Sequence, residues 1–386
     1  MRIFIGTGEV SGDLQGAMLV EALIRQATAV GVDLEIVATG GDRMAAAGAT
    51  LLANTTKIGS VGILETLPFI LPTLQIQRRT KEYLQQNPPD VLVLIDYPVS
   101  NLAIGSYVSK NLPRVPIVYY IAPQDWAVPQ LGNSDRVAKI TDRLLAIFPQ
   151  EASYFQNKGI SVSWVGHPLL DRMQTVPTRK IARASLGIEP DALTIALLPV
   201  SRQQEVKYLL PVICEAAKLL QNKLPHIHFL IPLSLPEYRP FIEEAVKSYD
   251  LPATVLEGKT YEAIAAADLA ITKSGTVNLE IALLNVPQVV LYRVHPFTAW
   301  VGRHILKLSI PFMSPPNLIV EREIVPELLQ EKATGERIFK ESLELLLNTE
   351  KREQTLANYQ QMRSRLGEVG VCDRAASEII SLANGT

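Results

Sequence analysis

The chain has 386 residues, 47% of them hydrophobic and 20% charged, which is a globular composition with enough apolar material for two domains. Its 37 Lys and Arg nearly balance its 39 Asp and Glu, and this formal charge of −2 gives no reason to expect a nucleic-acid partner. The two cysteines, Cys214 and Cys372, lie far apart in apolar helical patterns, which argues against a disulfide framework or a zinc site.

The N-terminal sequence and the length of the apolar runs indicate the compartment. Met1-Arg2 leads directly into the strand-like Ile3-Phe4-Ile5, without the apolar region and cleavage site of a secretory signal peptide. No run reaches the roughly 18 uninterrupted apolar residues of a membrane-spanning helix. We therefore expect a cytoplasmic protein, with association at a membrane surface left open.

Short apolar segments alternate with helical segments through the first half of the chain. The segment Val91–Ile95 (VLVLI) is a continuous apolar run, as expected for a strand buried on both faces of a parallel sheet. The alternation predicts strands at 2–5, 34–38, 91–95, 117–121, 143–147 and 162–165, with a helix at 14–29. Such repeated β-α units are typical of a doubly wound sheet.

The same pattern restarts after an interruption at 166–178. It predicts strands at 194–198, 226–231, 269–271 and 288–292, a helix at 204–220, and closing helices at 336–365 and 373–383. The predicted fold is therefore α/β, with two Rossmann-like doubly wound domains at 1–166 and 167–365 and a cleft between them.

Residues 58–74 (IGSVGILETLPFILPTL) do not fit a plain β-α unit, because they are strongly apolar and yet interrupted by glycines and prolines. A buried connection between a strand and a helix explains this composition. An exposed apolar patch that meets lipid explains it equally well, and both interpretations stay open.

The loop at 6–13 reads GTGEVSGD, with the glycine spacing G-x-G-x-x-x-G. It differs from the dinucleotide motif G-x-G-x-x-G, and the second strand ends in Gly40-Gly41 instead of an acidic residue that would bind ribose. An NAD site is therefore disfavoured. Glu9 and Asp13, flanked by glycines, indicate contact with a polar ligand, and a structural turn is the alternative.

A second ligand signal is Ser274-Gly275-Thr276, which follows the predicted strand at 269–271 and opens a helix. The N–H groups and the positive dipole end at such a helix start suit a diphosphate. Glu280 lies one turn further on the same helix face, where it could accept both hydroxyls of a ribose. The alternative is an ordinary N-cap with a solvated Glu, and the location at the ligand crevice of such sheets favours the nucleotide interpretation.

Three further positions carry candidate chemistry. Ser201-Arg202 follows the predicted strand at 194–198, where an anion would meet a helix start and a guanidinium, with a surface salt bridge as the alternative.

Asp96 follows VLVLI and faces the predicted cleft, where it could act as a general base or merely cap a loop. His167 lies at the predicted domain junction and either lines the cleft or is structural. No His spacing supports a metal site.

Together these motifs resemble the lipid-A-disaccharide synthase family, which are glycosyltransferases of the two-Rossmann GT-B architecture. The matching stretches are GEVSGDLQGA (8–17), GGDRMAAAG (40–48), IDYP (95–98), YIAPQDWA (120–127), VGHPLLD (165–171), LLPVSRQQEV (197–206), SGTVNLEIALLNVP (274–287), YRV (292–294) and PNLIVEREIVPELLQ (316–330). One such motif is weak evidence, whereas the whole set in family order is highly specific.

The resemblance implies transfer of a sugar from UDP-2,3-diacylglucosamine to 2,3-diacylglucosamine 1-phosphate, with inversion, to form the β-1,6-linked lipid A disaccharide and release UDP. It implies no metal or other cofactor, since Arg202 and the helix start at 274–276 would stabilise the departing diphosphate. Asp96 would deprotonate the acceptor 6-hydroxyl, and Glu280 would hold the ribose. Further implied substrate contacts are Ser201 beside Arg202, Asn317 at the donor, Glu9, Ser11 and Asp13 at the acceptor, and His167.

The resemblance also bears on the surroundings of the site. Because both substrates carry acyl chains, the apolar segment 58–74 becomes a candidate for contact with the inner face of the cytoplasmic membrane. The segment 297–312 mixes apolar and basic residues, which suits either an anionic bilayer surface or a partly buried helix. The C-terminal helix, 366–386, would pack back onto the N-terminal domain. Its exchange between two subunits of a homodimer stays open.

Two positions depart from the family pattern. Val200 stands where the family usually has Gly, and a β-branched residue tolerates positive φ poorly, so either the loop differs or that Gly is not needed. The region of Trp126 lacks a second Trp expected nearby. The alternative functions are a UDP-sugar 2-epimerase, another lipid glycosyltransferase of this architecture, and a homologue that binds without turnover.

Overall fold

The chain forms two compact units. The first contains Met1–Asp171 together with Leu366–Thr386, and the second contains Arg172–Arg365. The units divide after Asp171, slightly beyond the predicted boundary at residue 166. The computed structural model of the protein describes residues 1–8, 10–56, 69–123, 126–127, 132–201, 203–294 and 312–385.

The first unit contains a sheet whose described strands are all parallel, in the order β3-β2-β1-β4-β5-β6-β7. The strands are β1 (Arg2–Gly6), β2 (Glu35–Gly40), β3 (Thr50–Asn54), β4 (Val91–Ile95), β5 (Ile117–Tyr120), β6 (Arg143–Ala146) and β7 (Val162–Trp164). The helices are α1 (Val10–Ala29), α2 (Asp42–Ala46), α3 (Ile70–Gln86), α4 (Pro98–Asn111), α5 (Ser134–Ile140), α6 (Pro149–Gln156) and, at the unit boundary, α7 (Leu169–Arg172).

The sheet forms because its central strands are apolar along their whole length. All five residues of β4 have no exposed surface. A parallel strand of this kind needs cover on both faces, which the intervening helices supply. On one face Leu94 of β4 shares a core cluster with Leu102 of α4 and Phe155 of α6. Burial of such side chains is the main favourable contribution to folding.

The second unit also contains a sheet whose described strands are all parallel, in the order β10-β9-β8-β11-β12-β13. The strands are β8 (Thr194–Leu198), β9 (His228–Leu233), β10 (Ala253–Glu257), β11 (Leu269–Lys273), β12 (Gln288–Tyr292) and β13 (Glu327–Leu329). The helices are α8 (Arg179–Ser185), α9 (Gln203–Tyr208), α10 (Leu210–Lys223), α11 (Arg239–Ser248), α12 (Thr260–Ala266), α13 (Val277–Leu283), α14 (Pro315–Val320), α15 (Gly335–Leu347) and α16 (Thr349–Ser364). The two sheets confirm the predicted Rossmann-like α/β fold class.

The last helix, α17 (Val371–Ala383), belongs to the first unit and packs against α1. The Asp171 carboxylate accepts hydrogen bonds from the N–H groups of Gly370 at 2.6 Å and Cys372 at 2.8 Å, which caps the start of this helix. No helix in the described part of the chain combines the length and apolar character needed to cross a membrane.

Each sheet has a point where the strand order reverses. In the first unit this point lies between β1 and β4, and in the second between β8 and β11. Loops that leave the carboxyl ends of two such strands run in opposite directions and open a crevice, where doubly wound sheets bind their ligands. The predicted site residues Glu9, Asp96, Ser201 and Ser274 all follow one of these four strands.

Candidate active site

Asp96 follows β4 in a strained turn. Its φ is +46° and that of Tyr97 is +38°, a left-handed conformation that residues other than glycine adopt at a cost. Buried Asn101 donates through Nδ2 to the carbonyl oxygens of Ile95 at 2.9 Å and Asp96 at 2.8 Å. The Tyr119 hydroxyl donates to the same Asp96 oxygen at 2.9 Å. These contacts hold the candidate base in place and could not be read from its motif.

The neighbouring strand end fixes the other side of this turn. The Asp96 N–H donates to the carbonyl oxygen of Ile121, itself at φ +61°, at 3.0 Å. The next residue, Ala122, donates its N–H to the buried carboxylate of Glu151 at 2.7 Å, and Glu151 also accepts from Ile147 at 2.8 Å. Burial raises the pKa of Glu151 to about 7, and the charge of Asp96 acts in the same direction.

The glycine-rich loop contacts the Asp96 turn. A Cβ placed on Gly8 would overlap the ring of Tyr97, so only glycine allows these two segments to approach so closely. The loops after β1 and β4 therefore meet at one edge of the sheet. Predicted Ser11 is exposed in the first turn of α1 at this edge, whereas Glu9 lies outside the described residues.

The Asp13 carboxylate is hydrogen-bonded to backbone N–H groups around the start of α2. Its carboxylate is 4% exposed and accepts hydrogen bonds from the N–H groups of Gly41 at 2.9 Å and Met44 at 3.1 Å. It thus caps the start of α2 from a neighbouring helix, as an N-cap residue would. This role differs from the predicted contact with the acceptor, because both carboxylate oxygens already have backbone partners.

His167 is 5% exposed and packs in an aromatic row. Its ring centroid lies 5.2 Å from that of Phe148, which lies 5.5 Å from that of Trp126. Its Nδ1 accepts the N–H of Leu169 at 3.2 Å, and burial lowers the pKa of the imidazole to about 3. The side chain is therefore neutral near pH 7 and packed as a structural His would be. Its contact with substrate stays a prediction.

In the second unit, the segment 274–276 connects β11 to α13. The Ser274 N–H donates to Leu291 of β12 at 2.8 Å, and its hydroxyl donates to the carbonyl oxygen of Met313 at 2.6 Å. Buried Asn278 accepts the Gly275 N–H at 2.8 Å and donates to Lys273 O at 3.1 Å. The helix start is thus rigidly held, and Asn278 does this without having been singled out by the sequence analysis.

Lys273 adds a cation to this helix start. A Cβ placed on Gly275 would stand 3.2 Å from Lys273 Nζ, so the ammonium lies beside the glycine. A positive charge next to the N–H groups of a helix start suits a diphosphate. Lys273 was not among the predicted site residues, although its position directly before Ser274 was a usable signal.

Glu280 lies on α13 with 12% of its side chain exposed. Its Oε1 accepts the hydroxyl of Tyr261 at 2.7 Å and lies 3.7 Å from Arg172 Nη1. The Arg172 guanidinium in turn stacks on the Tyr261 ring, 4.9 Å from the centroid. Glu280 is therefore held by two side chains, which is unlike the solvated Glu of the alternative interpretation.

The loop after β8 holds Ser201, whose hydroxyl donates to the buried Glu205 carboxylate at 3.2 Å. Arg202 lies outside the described residues. Val200 does not have a positive φ and is 5% exposed within the hydrophobic core of the unit. Of the two explanations offered for the missing family glycine, the structure supports the second: no glycine conformation is needed there.

Asn317 is fully buried, and its amide is saturated within the protein. Its Oδ1 accepts the N–H groups of Ile324 at 2.7 Å and Val325 at 2.9 Å, while its Nδ2 donates to Glu327 at 2.8 Å. The direct contact of Asn317 with the donor stays a prediction. The described contacts link Asn317 to Ser274 indirectly, because Glu327 also accepts the N–H of Met313, whose carbonyl oxygen accepts the Ser274 hydroxyl.

No group of three or more His, Cys, Asp or Glu side chains within the described ranges is arranged to hold a metal ion. Cys214 and Cys372 are both buried free thiols. The charged groups described at the strand-order reversals include the carboxylate of Asp96 in the first unit, and the ammonium of Lys273 and the carboxylate of Glu280 in the second.

Comparisons with known proteins agree along the whole chain. The family model of lipid-A-disaccharide synthetase matches residues 3–380. The lipid-A-disaccharide synthase of Gloeothece citriformis is 62% identical over 381 residues, which cover 98% of this chain and 99% of the relative. That of Synechocystis sp. is 56% identical over 388 residues, which cover 100% of this chain and 98% of the relative.

Solved structures show the same fold at low identity. A putative UDP-N-acetylglucosamine 2-epimerase from Listeria monocytogenes has a TM-score of 0.68 at 14% identity, covering 100% of this chain and 97% of that one. MurG from Acinetobacter baumannii has a TM-score of 0.58 at 13% identity, covering 98% of this chain and 99% of that one. The full-length match to the synthases is far closer, and this chain belongs to the lipid-A-disaccharide synthase family of GT-B glycosyltransferases.

Proposed function

We propose that the protein joins UDP-2,3-diacylglucosamine to 2,3-diacylglucosamine 1-phosphate with inversion, forming the β-1,6-linked lipid A disaccharide and releasing UDP. The observation that carries this proposal is the full-length match to the synthase family. The 2-epimerases share the fold at low identity, so epimerisation of a UDP-sugar is the less favoured function.

The first unit binds the acceptor in this proposal, and Asp96 removes the proton from its 6-hydroxyl. A displacement with inversion needs one base on the side of the attacking oxygen, and a carboxylate at the end of β4 fits that role. The strained turn, whose backbone is held by Asn101 and Tyr119 at the Asp96 carbonyl oxygen, fixes the position from which the side chain reaches the acceptor, which reduces the entropy lost on reaching the transition state. Glu9, Ser11, Asp13 and His167 remain proposed acceptor-side residues, with Asp13 and His167 acting through the packing described above.

The second unit binds the UDP of the donor. The helix start at Ser274-Gly275-Thr276, with Lys273, Ser201 and Arg202, stabilises the negative charge that grows on the departing diphosphate. Glu280 accepts the ribose hydroxyls. Asn317 supports the loop that contacts Ser274.

Replacing Asp96 by Asn tests the proposed base. We expect turnover of the acylated donor and acceptor to fall by roughly 10²- to 10⁴-fold, because the amide cannot take the proton, while the affinity for UDP stays unchanged. Release of UDP and formation of disaccharide are measured in detergent, and UDP binding is measured by calorimetry. Asp33→Asn, an exposed carboxylate before β2, is the control. If Asp96→Asn kept wild-type turnover, Asp96 would not be the base. If the wild-type protein converted UDP-GlcNAc without an acceptor, the epimerase function would be favoured instead.

We also propose that the protein works at the inner face of the cytoplasmic membrane. Residues 58–68 of the apolar segment lie outside the described residues. The beginning of α3, which follows them, exposes Ile70 at 45%, Leu71 at 71% and Leu74 at 54%. Basic residues Arg78 and Arg79 follow on the same helix. Exposed apolar residues next to cations suit an anionic lipid surface.

A double substitution, Leu71→Ser with Leu74→Ser, tests this surface. We expect binding to vesicles of anionic phospholipid to fall several-fold, because less apolar area enters the bilayer, while UDP affinity is retained. Co-flotation with the vesicles measures binding. The control is Leu347→Ser, an equally exposed leucine at 61% in the second unit. Equal vesicle binding by the double variant and the wild type would exclude this end of α3 as a membrane contact.

A further inference from the structure

Glu280 is held through one of its two carboxylate oxygens. Both described side-chain contacts, the hydroxyl of Tyr261 at 2.7 Å and the guanidinium of Arg172 at 3.7 Å, fall on Oε1. Oε2 is thus the oxygen that these partners leave for a ligand. A carboxylate with two equivalent oxygens would rotate, whereas a hydrogen bond and an ion pair on the same oxygen select one orientation.

Arg172 and Tyr261 also fix each other. The guanidinium lies over the Tyr261 ring at 4.9 Å from its centroid, which is a cation–π contact. Arg172, the last residue of α7, begins the second unit, and Tyr261 and Glu280 lie on α12 and α13, so their meeting depends on how these elements pack within that unit. Glu280 is 12% exposed and Arg172 is 25% exposed, and at this degree of burial charged hydrogen bonds are stronger than at the surface.

We propose that Tyr261 and Arg172 are positioning residues that aim Glu280 Oε2 at the ribose hydroxyls of the nucleotide, and that they thereby make the site selective for ribonucleotides over deoxyribonucleotides. This inference rests on the proposed role of Glu280 in holding ribose. A carboxylate fixed for two hydroxyls loses a hydrogen bond when one hydroxyl is missing, and cannot turn away to regain it.

The test compares UDP with 2′-deoxy-UDP as ligands of the wild type and of Tyr261→Phe, by calorimetric titration of the full-length protein. Tyr261→Phe removes one hydroxyl and keeps the ring on which Arg172 stacks. We expect the wild type to bind UDP about 10-fold or more tightly than 2′-deoxy-UDP. In Tyr261→Phe we expect UDP affinity to fall several-fold and the affinity for 2′-deoxy-UDP, which retains only the 3′-hydroxyl contact, to fall less, so that the preference for UDP becomes smaller.

Turnover gives a second readout. With saturating donor, kcat of Tyr261→Phe should equal that of the wild type, and KM for the donor should rise, because the ribose contact is far from the reacting atoms. The matched control is Tyr249→Phe, a partly buried tyrosine that packs on the hydrophobic core of the same unit. It should leave both the selectivity and KM unchanged.

The outcomes separate the inference from the proposed function. If the wild type binds both nucleotides equally, Glu280 does not hold the ribose, and both the positioning role and the proposed ribose contact fail, while disaccharide formation is judged separately by turnover. If the wild type discriminates and Tyr261→Phe discriminates equally well, or loses affinity for both nucleotides alike, the positioning role is overturned while the proposed function stands. Should Tyr261→Phe not fold, Arg172→Lys serves instead, because it keeps the charge and loses the planar stack. Arg172→Lys should likewise reduce the preference for UDP over 2′-deoxy-UDP.

Discussion

Asp96 illustrates how single residues are held at this active site. A residue with a Cβ adopts a left-handed conformation only where its surroundings impose it, and here two consecutive residues, Asp96 and Tyr97, do so. The imposing contacts are buried polar groups, Asn101 and Tyr119 on one side and Glu151 on the other. The backbone position of the proposed base is therefore set by the fold before any substrate binds.

Glu151→Gln should change how stability depends on pH. Burial raises the pKa of Glu151 from 4.5 to about 7, so between these values the folded protein keeps a proton that the unfolded chain has released. The contribution of Glu151 is thus fully present below pH 4.5 and is lost as pH rises through 7. Gln does not titrate, so we expect the free energy of unfolding to fall less with rising pH in the variant than in the wild type. The difference between the two proteins over this window is about 3 kcal/mol at most.

Chemical denaturation at a series of pH values measures this slope. The comparison uses the slope and not the absolute stability, because the Gln side chain also loses acceptor capacity for the N–H groups of Ala122 and Ile147 at every pH. Glu21→Gln, an exposed carboxylate of α1, should retain the wild-type slope. A Glu151→Gln variant with the same slope as the wild type would show that the buried carboxylate does not hold its proton.

The site residues divide according to whether their partners are near in sequence. The positions of Asp96, Ser274 and Glu280 could be predicted, because each follows an apolar strand or opens a helix. For Asn317 and Asp13 the motifs did not show that donors from other segments bind the side chains. A motif shows where a polar side chain is placed, but not whether distant backbone groups already occupy it. For the same reason, the contacts of Tyr261 and Arg172 with Glu280 could not be predicted from the sequence.

At the scale of elements, prediction succeeded where strands are buried on both faces. The bounds of β4, β8 and β12 agree with the predicted ones, since each is apolar along all or most of its length. The strands that were missed are β3, β10 and β13, and all three lie at an edge of a sheet. These three strands are partly exposed and carry mixed sequences, so they lack the apolar signal, whereas the edge strand β7 was predicted.

Helix bounds were less accurate, for local reasons. The predicted helix at 204–220 is two helices, α9 and α10, because Pro211 opens the second. The predicted helix at 336–365 is also interrupted: the side chain of Asn348 accepts the N–H of Lys351 and starts α16. Helix α1 begins at Val10, four residues before the prediction, because glycine in its first turn resembles a loop.

At the scale of the molecule, the C-terminal helix joins the first unit although nearly 200 residues of the second unit precede it. Ile379 of α17 has no exposed surface, and ion pairs connect this helix to Arg25 at 2.8 Å and Arg143 at 2.7 Å. The second unit has a comparable core residue in α15, Ile338, which is also fully buried. These two isoleucines allow the stability of each unit to be changed separately.

Ile379→Ala should destabilise the first unit by roughly 2–5 kcal/mol, the usual cost of a cavity left by a buried isoleucine. Hydrogen exchange followed by mass spectrometry should then show lost amide protection in 1–171 and 366–385, with α10 and α15 of the second unit unchanged. Ile338→Ala is the reciprocal control and should give the opposite pattern, together with weaker UDP binding. If Ile379→Ala lowered protection to the same extent throughout the chain, the two units would unfold as a single cooperative body, and the C-terminal helix would stabilise the donor site as much as the acceptor site.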